Sequence, residues 1–455
     1  MSRKIYIATF GCRTNQADSA AIVEDFAAAG YDETFQPEEA DVVVVNSCTV
    51  THRSDQQVRQ LTRSLMRRNP DARVLVTGCY AQRAPEALAR LKGLTGVVGN
   101  TRKADLVTIA ETDPSGIDDR PRSTRLYLDD FEKVRAIRLV HGTPVGGRTR
   151  PFVKIQDGCD AKCSYCIIPS VRGPSRSVPP DQILEQVRRL VAEGFREIVL
   201  TGIHIGTYGM HLNPRYPLDR LLSDLVQVEG LGQIRLSSIE PMELSRRVIR
   251  LAASTDRLAP HFHICLQSGS DRILKRMLRP YDTGRFLSLV EPIREQLPLA
   301  AIGTDVIVGF PGETEEDHQA TLELIERGPF TYLHVFPYSD RPGTTASSMI
   351  DKVSPAVIKR RAGELRRLGA RKNRAFRRRC MTETLTLLTL TDSCDGRREA
   401  LTGNYVPAQV PDSVPANTLC RGVAAREQRG ALVFDDVEVP SNLNASPVSG
   451  YKVNP

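Results

Sequence analysis

PFVKIQDGCDAKCSYCIIP, residues 151–169, decides the reading of this chain. Its first six residues alternate as a strand does, and the strand runs directly into three cysteines, Cys159, Cys163 and Cys166, set in eight residues. Structural zinc takes four protein ligands, commonly as two short-spaced pairs, and no second pair stands nearby. Cys265 could serve as a fourth ligand only if the fold delivered it. Three thiolates suit a cubane iron-sulfur cluster with one iron left open to bind another molecule.

Working outward, strand-like runs alternate with helical ones after Pro151: PFVKIQ, REIVLTGI, QIRLSSIE, HFHICLQ, AIGTDVIVGF and FTYLHVFPY, with DQILEQVRRLVAEG and EEDHQATLELIERG among the helices. Six strand-helix units predict a partial (β/α)6 barrel. In such barrels chemistry sits in loops at the carboxyl ends of strands, and the three-cysteine stretch follows the first strand. Polar or glycine-containing strand ends offer a cofactor surface: Thr201 and Gly202, Glu240, Gln267 and Ser268, and Gly309 with Gly312. Tyr165 precedes the last cysteine of the stretch.

The first hundred residues repeat a second pattern. IYIATF, DVVVVNS and RVLVTG are each followed by a cysteine, Cys12, Cys48 and Cys79. Alternating strands and helices predict a parallel sheet whose strand ends share one edge, where ligands bind. Cysteines separated by more than thirty residues would meet there, a reading preferred over three buried core cysteines because all three stand at equivalent strand ends.

Composition sets the outer limits. With 455 residues, 40% hydrophobic and 25% charged, the chain supports two or three globular cores. The longest apolar run is strand-sized, which excludes a spanning helix, and the opening MSRKIYIATFGC lacks the features of a signal peptide. A cytoplasmic protein is expected, and its ten cysteines are then metal ligands or catalysts more readily than disulfides. The net charge of +8 is concentrated in KRRAGELRRLGARKNRAFRRR, residues 359–379. Ile358, Ala362, Leu365, Leu368, Ala375 and Phe376 fall on one side at helical spacing, leaving Arg366, Arg367, Arg371 and Arg374 on the other, a face that reads either as a solvated helix surface or as a set of phosphate contacts. The expected domains are an α/β domain over 1–110, a linker over 111–150, the barrel with its basic helix over 151–380, a small β domain over 381–440 and a tail over 441–455.

FGCRTNQADS, NSCTVTHRSD, TGCYAQ, DGCDAKCSYCIIPSVRGPSRS, LTGIHIG, LQSGS, DVIVGFPGETEED and LHVFPYSDRPGT together resemble the methylthiotransferases, a family of radical S-adenosylmethionine enzymes. The resemblance spans roughly residues 3–440. Within the family, NSCTVT and LTGIHIGTYG are most similar to the branch acting on tRNA that carries threonylcarbamoyladenosine beside the anticodon. It implies an α/β fold of three parts: a parallel-sheet amino-terminal domain, a partial radical S-adenosylmethionine barrel and a small carboxyl-terminal β-barrel of the TRAM kind. It also implies two four-iron four-sulfur clusters, one on Cys12, Cys48 and Cys79 and the radical-generating one on Cys159, Cys163 and Cys166. One S-adenosylmethionine would supply a methyl group to sulfur and a second the radical that attacks C2 of the adenine. tRNA, an electron donor and a sulfur source are the implied partners. Two rivals stay open on the residues alone, a methylthiotransferase acting on an aspartate of a ribosomal protein and a two-cluster electron-transfer protein. One departure stands out: Cys265 occupies the place of the usual proline in HIPLQSGS.

Overall fold

The computed structural model describes residues 2–112, 124–129, 131, 137 and 149–440, which form two compact units. The expected linker lies mostly outside the described residues, and the expected tail entirely so.

The first unit gathers the amino-terminal residues with 156–178 and 339–347. Its sheet uses β1 (Arg3–Thr9), β2 (Tyr31–Glu33), β3 (Val42–Ser47), β4 (Arg73–Gly78), β5 (Gly96–Val98) and β6 (Arg125–Tyr127). All pair in parallel, in the order β2-β1-β3-β4-β5-β6. Strand β3 is buried along its whole length because helices cover both faces. Val43 and Val45 pack with Val58 and Leu65 of α2 (His52–Arg68), while Val42 and Val44 pack with Ile22 and Phe26 of α1 (Arg13–Ala28). Alternate residues of one strand thus build two cores. Thr51 caps α2 by accepting from the Ser54 amide at 3.1 Å. Short helices α3 (Cys79–Arg83), α4 (Pro85–Ala89) and α5 (Leu106–Glu111) complete the layer.

The second unit holds the remainder. Strand β7 (Phe152–Lys154) precedes the three-cysteine loop, which the first unit anchors with β8 (Gln156–Asp157), α6 (Ile168–Arg172) and β9 (Arg176–Ser177). Next come α7 (Pro180–Ala192), β10 (Glu197–Thr201), α8 (Leu218–Leu225), β11 (Gln233–Leu236), α9 (Arg246–Ser254), β12 (His261–His263), α10 (Asp271–Arg276), α11 (Thr283–Gln296), β13 (Ala301–Val308), α12 (Glu315–Arg327) and β14 (Tyr332–Pro337). β7, β10 and β11 pair in parallel, as do β12, β13 and β14, and parallel bridges Ile234–Leu258 and Ile239–Ile264 join the two groups. This is the expected six-stranded partial barrel.

Helix α13 (Pro355–Cys380) lies on the outside of β14, and at Gly369 a Cβ would come within 3.2 Å of Leu333. It buries Ala362, Leu365, Leu368 and Phe376 as its spacing predicts, but Ala375 is exposed and Arg361 buried. Arg361 is tolerated there because Glu313 and Glu315 pair with it at 2.6 and 3.0 Å. The described residues end with β15 (Thr384–Cys394), β16 (Arg397–Thr402), β17 (Pro407–Pro411), β18 (Leu419–Val423), β19 (Arg426–Gln428) and β20 (Ala431–Val433). A bridge from Arg421 to Glu438 returns the segment after β20 to β18, so this mostly antiparallel sheet curls around Leu387, Val410, Cys420 and Phe434. Its β16–β17 turn meets the barrel. Arg235, fully buried, pairs with Glu197 at 2.8 Å and donates to Gly403 O at 2.8 Å, while Tyr405 stacks on His261 at 4.2 Å.

Candidate functional site

Cys12, Cys48 and Cys79 follow β1, β3 and β4, three adjacent parallel strands, so their carboxyl ends lie side by side. Polar side chains pin these ends together. Asn15 donates to Phe10 O at 2.7 Å and to Ser47 O at 3.0 Å, which ties β1 to β3. Ser47 accepts from the Tyr80 and Ala81 amides at 3.2 Å, and this ties β3 to the helix that Cys79 opens. Gly11, at φ +98°, leaves room for its neighbour, since a Cβ there would lie 2.8 Å from Cys48 Sγ. Burial pushes the Cys48 thiol up to about 11, with Cys79 and Cys12 adding to the rise. Cysteines 36 and 31 positions apart in sequence therefore share one sheet edge.

The loop bearing Cys159, Cys163 and Cys166 belongs to the same unit. Its base is the β8–β9 pairing, Gln156 with Ser177 and Asp157 with Arg176. The Cys159 amide donates to Gly173 O at 3.0 Å and the Ala346 amide to Ser164 O at 2.7 Å. Gly158, at φ +76°, sits so close to Pro174 that any side chain would strike its carbonyl. Tyr165 is partly buried beside the last cysteine.

Arg172, five residues beyond Ile167 and fully buried, ties this loop to the sheet edge. It donates to both oxygens of Asp157 at 2.9 and 3.0 Å, to Asp18 at 3.1 Å and to Cys79 Sγ at 3.4 Å, and it also contacts Asn15. Burial opposes its charge, but Asp157, Cys79, Asp18 and Cys12 overcome that and hold its pKa well above the usual arginine value. A cation fixed beside sulfur is the environment in which thiolates form and bind metal. A second cluster holds Arg341: it donates to Thr49 Oγ1 at 2.8 Å and Asp55 Oδ2 at 2.7 Å, both shared with Arg83. Sequence reasoning missed Asn15, Asp18, Ser47 and Arg172. The available signal was polar residues closing the apolar strand DVVVVNS, and Asn15 with Asp18 one turn apart on a helix whose first residue follows Cys12.

In the second unit, Thr201 ends β10 and is buried, with Gly202 after it. Gln267 is buried and held at φ +72°, a conformation non-glycine residues rarely adopt, and its backbone bridges to Val306. The Ser268 hydroxyl accepts from the Ser270 amide at 3.2 Å. Glu240 pairs with Arg279, whose Nε donates to Tyr281 at 3.0 Å. Gly309 faces Ile358 of α13, and Gly312 faces the Arg276–Asp351 pair, so neighbouring side chains occupy the space both glycines leave. Cys265 is buried beside Asp305, its Sγ donating to Oδ2 at 3.6 Å; burial first, then Glu240 and Asp305, push the thiol well above its ordinary pKa. On α13, Arg366, Arg367, Arg371 and Arg374 are exposed, and Arg371 pairs with Glu326.

Residues 4–99 match a family described as uncharacterized protein family UPF0004, and residues 153–325 match the radical SAM superfamily. The chain is 40% identical over 403 residues to threonylcarbamoyladenosine tRNA methylthiotransferase MtaB of Aquifex aeolicus, covering 89% of this chain and 95% of that protein. It is 40% identical over 361 residues to the Bacillus subtilis protein of the same name, 78% of each chain. To tRNA-2-methylthio-N(6)-dimethylallyladenosine synthase of Corynebacterium urealyticum it is 36% identical, over 79% of this chain and 67% of that one. The radical S-adenosylmethionine methyltransferase TsrM of Kitasatospora setae shares the fold, with a TM-score of 0.56, 16% identity, and 76% and 75% of the two chains covered. Radical SAM proteins use S-adenosylmethionine and a four-iron four-sulfur cluster, which a set of three thiols on one anchored loop fits. The paired cysteine triads, the partial barrel and these identities make the chain a member of the methylthiotransferase family of radical S-adenosylmethionine enzymes.

Proposed function

We propose that this chain adds a methylthio group to C2 of the threonylcarbamoyl-modified adenosine beside the anticodon of tRNA. The observation that carries the chemistry is the presence of two cysteine triads in one compact unit, with Arg172 in contact with Cys79 of one and joined to Asp157 at the base of the other. The choice of nucleoside is supported by relatives named for threonylcarbamoyladenosine, which are 34–40% identical over most of the chain.

In this reading Cys159, Cys163 and Cys166 hold one four-iron four-sulfur cluster, and Cys12, Cys48 and Cys79 hold a second. Together with S-adenosylmethionine these groups supply, when bound, a radical, a methyl group and a site for sulfur. The chain's own residues do the positioning. Asn15 and Ser47 hold the three strand ends in register. Arg172 places positive charge next to Cys79 and Cys12, and Asp18 and Asp157 fix its orientation. Thr201, Gly202, Gln267 and Ser268 are offered as the surface for S-adenosylmethionine. The curled carboxyl-terminal sheet would act as a TRAM domain, with Arg366, Arg367 and Arg374 of α13 meeting tRNA phosphates. An anticodon-loop base is unpaired, so presenting it to the enzyme costs little. The electron donor and the sulfur source are separate partners.

Nucleoside analysis of bulk tRNA tests this. A strain lacking the gene should accumulate threonylcarbamoyladenosine and lose its methylthio form, and the gene restored in trans should return it. Unchanged nucleosides, with loss of methylthio-aspartate from a ribosomal protein, would overturn the reading.

A further inference from the structure

Three side chains of the barrel, outside the cysteine sites, meet in a manner the proposed chemistry does not use. His263 ends β12, Asp305 lies in β13 and His334 in β14. Asp305 and His334 are direct cross-strand partners, and His263 pairs with Gly303, two residues before Asp305. Side chains alternate along a strand, and Leu333 faces α13 on the outside, so His334 and its partners face the barrel interior. Their ligand atoms all lie within 4.8 Å of one another.

The two distances to Asp305 suit a coordination shell. Asp305 Oδ1 is 3.1 Å from His263 Nε2 and 3.2 Å from His334 Nδ1. Metal bonds of about 2.0–2.2 Å at tetrahedral angles set ligand atoms roughly 3.3 Å apart. His263, with a side chain only 6% exposed, meets Asp305 Oδ1 through Nε2 as an ion-pair contact without the alignment of a hydrogen bond. Both atoms are buried. The other ring nitrogen of His263 is engaged with Ser238 Oγ at 2.6 Å, which fixes the ring with Nε2 pointing inward. The second Asp305 oxygen accepts from Cys265 Sγ, a contact that orients this carboxylate. His334 is half exposed, which leaves a route for an ion to enter.

We propose that His263, Asp305 and His334 form a mononuclear site for a divalent transition-metal ion of the zinc class, with a fourth position open to water or substrate. Two imidazoles and one carboxylate select this class over magnesium or calcium, which take all-oxygen shells. The proposal is independent of the nucleoside the enzyme modifies.

The test uses the full chain with its iron-sulfur clusters reconstituted anaerobically, dialysed against micromolar zinc chloride and then against metal-free buffer. Zinc and iron per chain are measured together. The wild type should retain about one zinc. Asp305→Asn and His334→Gln should each retain almost none, with iron unchanged, so the loss does not reflect displaced clusters or a failed fold. His334 stands at the open side, and its substitution leaves the core intact. Zinc bound equally by wild type and both variants, or by none of them, would overturn the proposal and leave Asp305 as an ion-pair bridge between two imidazoles.

Discussion

Arg172 concentrates the account of the cysteine sites in one side chain. It is fully buried, and its partners Asp18 and Asp157 are 3% and 14% exposed, so removing the guanidinium strands carboxylates in a dry environment. Breaking a buried ion pair in this way costs about 3–5 kcal/mol. Lys103, 2.6 Å from Asp18, keeps one carboxylate paired, which places Arg172→Ala at the lower end, about 3 kcal/mol. A lowered urea midpoint should report this, and Arg172→Lys should restore little, because an ammonium cannot reach Asp157, Asp18 and Cys79 together. A midpoint equal to wild type for Arg172→Ala would remove Arg172 from its bridging role. None of this was legible in sequence. The six cysteines announced themselves by following strands, whereas an arginine six residues past Cys166 acquires its meaning from Asp157 and from Asn15, Asp18 and Cys79, the last three more than ninety positions away.

Helices α12 and α13 carry two further predictions. Asp317 closes the capping box of α12: its carboxylate accepts from the Thr314 amide at 2.8 Å and from Ser270 Oγ at 2.6 Å, and Arg272 pairs with it. Burial alone would raise its pKa, but these donors hold it well below the ordinary value of 3.8. A depressed carboxylate stabilises the fold above the unfolded-state pKa and loses that contribution as pH falls through the folded one. Asp317→Ala should therefore cost about 1–2 kcal/mol at pH 7, and the gap to wild type should shrink as pH falls below about 4. A gap that stays constant from pH 7 to pH 3 would contradict this. On α13, Arg371 is engaged with Glu326, so replacing Arg366, Arg367 and Arg374 by Gln should account for most of any effect on tRNA. The slope of log affinity against log salt should flatten by roughly 0.7–0.9 for each phosphate left without its arginine, and an unaltered slope would return the helix to a solvated surface. The helix itself was readable from its apolar spacing, apart from Ala375 and Arg361. The three-residue strands β2, β5 and β6 were not, because so short a run shows no period and exists only through its neighbours.

The chain as a polymer predicted its architecture well where patterns are long. Six barrel strands, the strands carrying the cysteines and the carboxyl-terminal β region follow from alternation and spacing. The grouping into units did not follow, since residues 156–178 and 339–347 join the amino-terminal sheet by contacts such as Arg172–Asp18 and Arg341–Asp55 that no local pattern encodes. Gly309 and Gly312 also have neighbours that no local pattern shows, Ile358 beside the first and the Arg276–Asp351 pair beside the second, where a side chain would stand. The same unit grouping sharpens the central claim, that Cys12, Cys48 and Cys79 hold a cluster of their own alongside the one on Cys159, Cys163 and Cys166. Iron content per chain tests it most directly. After anaerobic reconstitution the wild type should carry about eight irons, and the variant with Cys12, Cys48 and Cys79 all changed to Ala about four. Equal iron in the two proteins would contradict the account and make the three strand-end cysteines ordinary core residues.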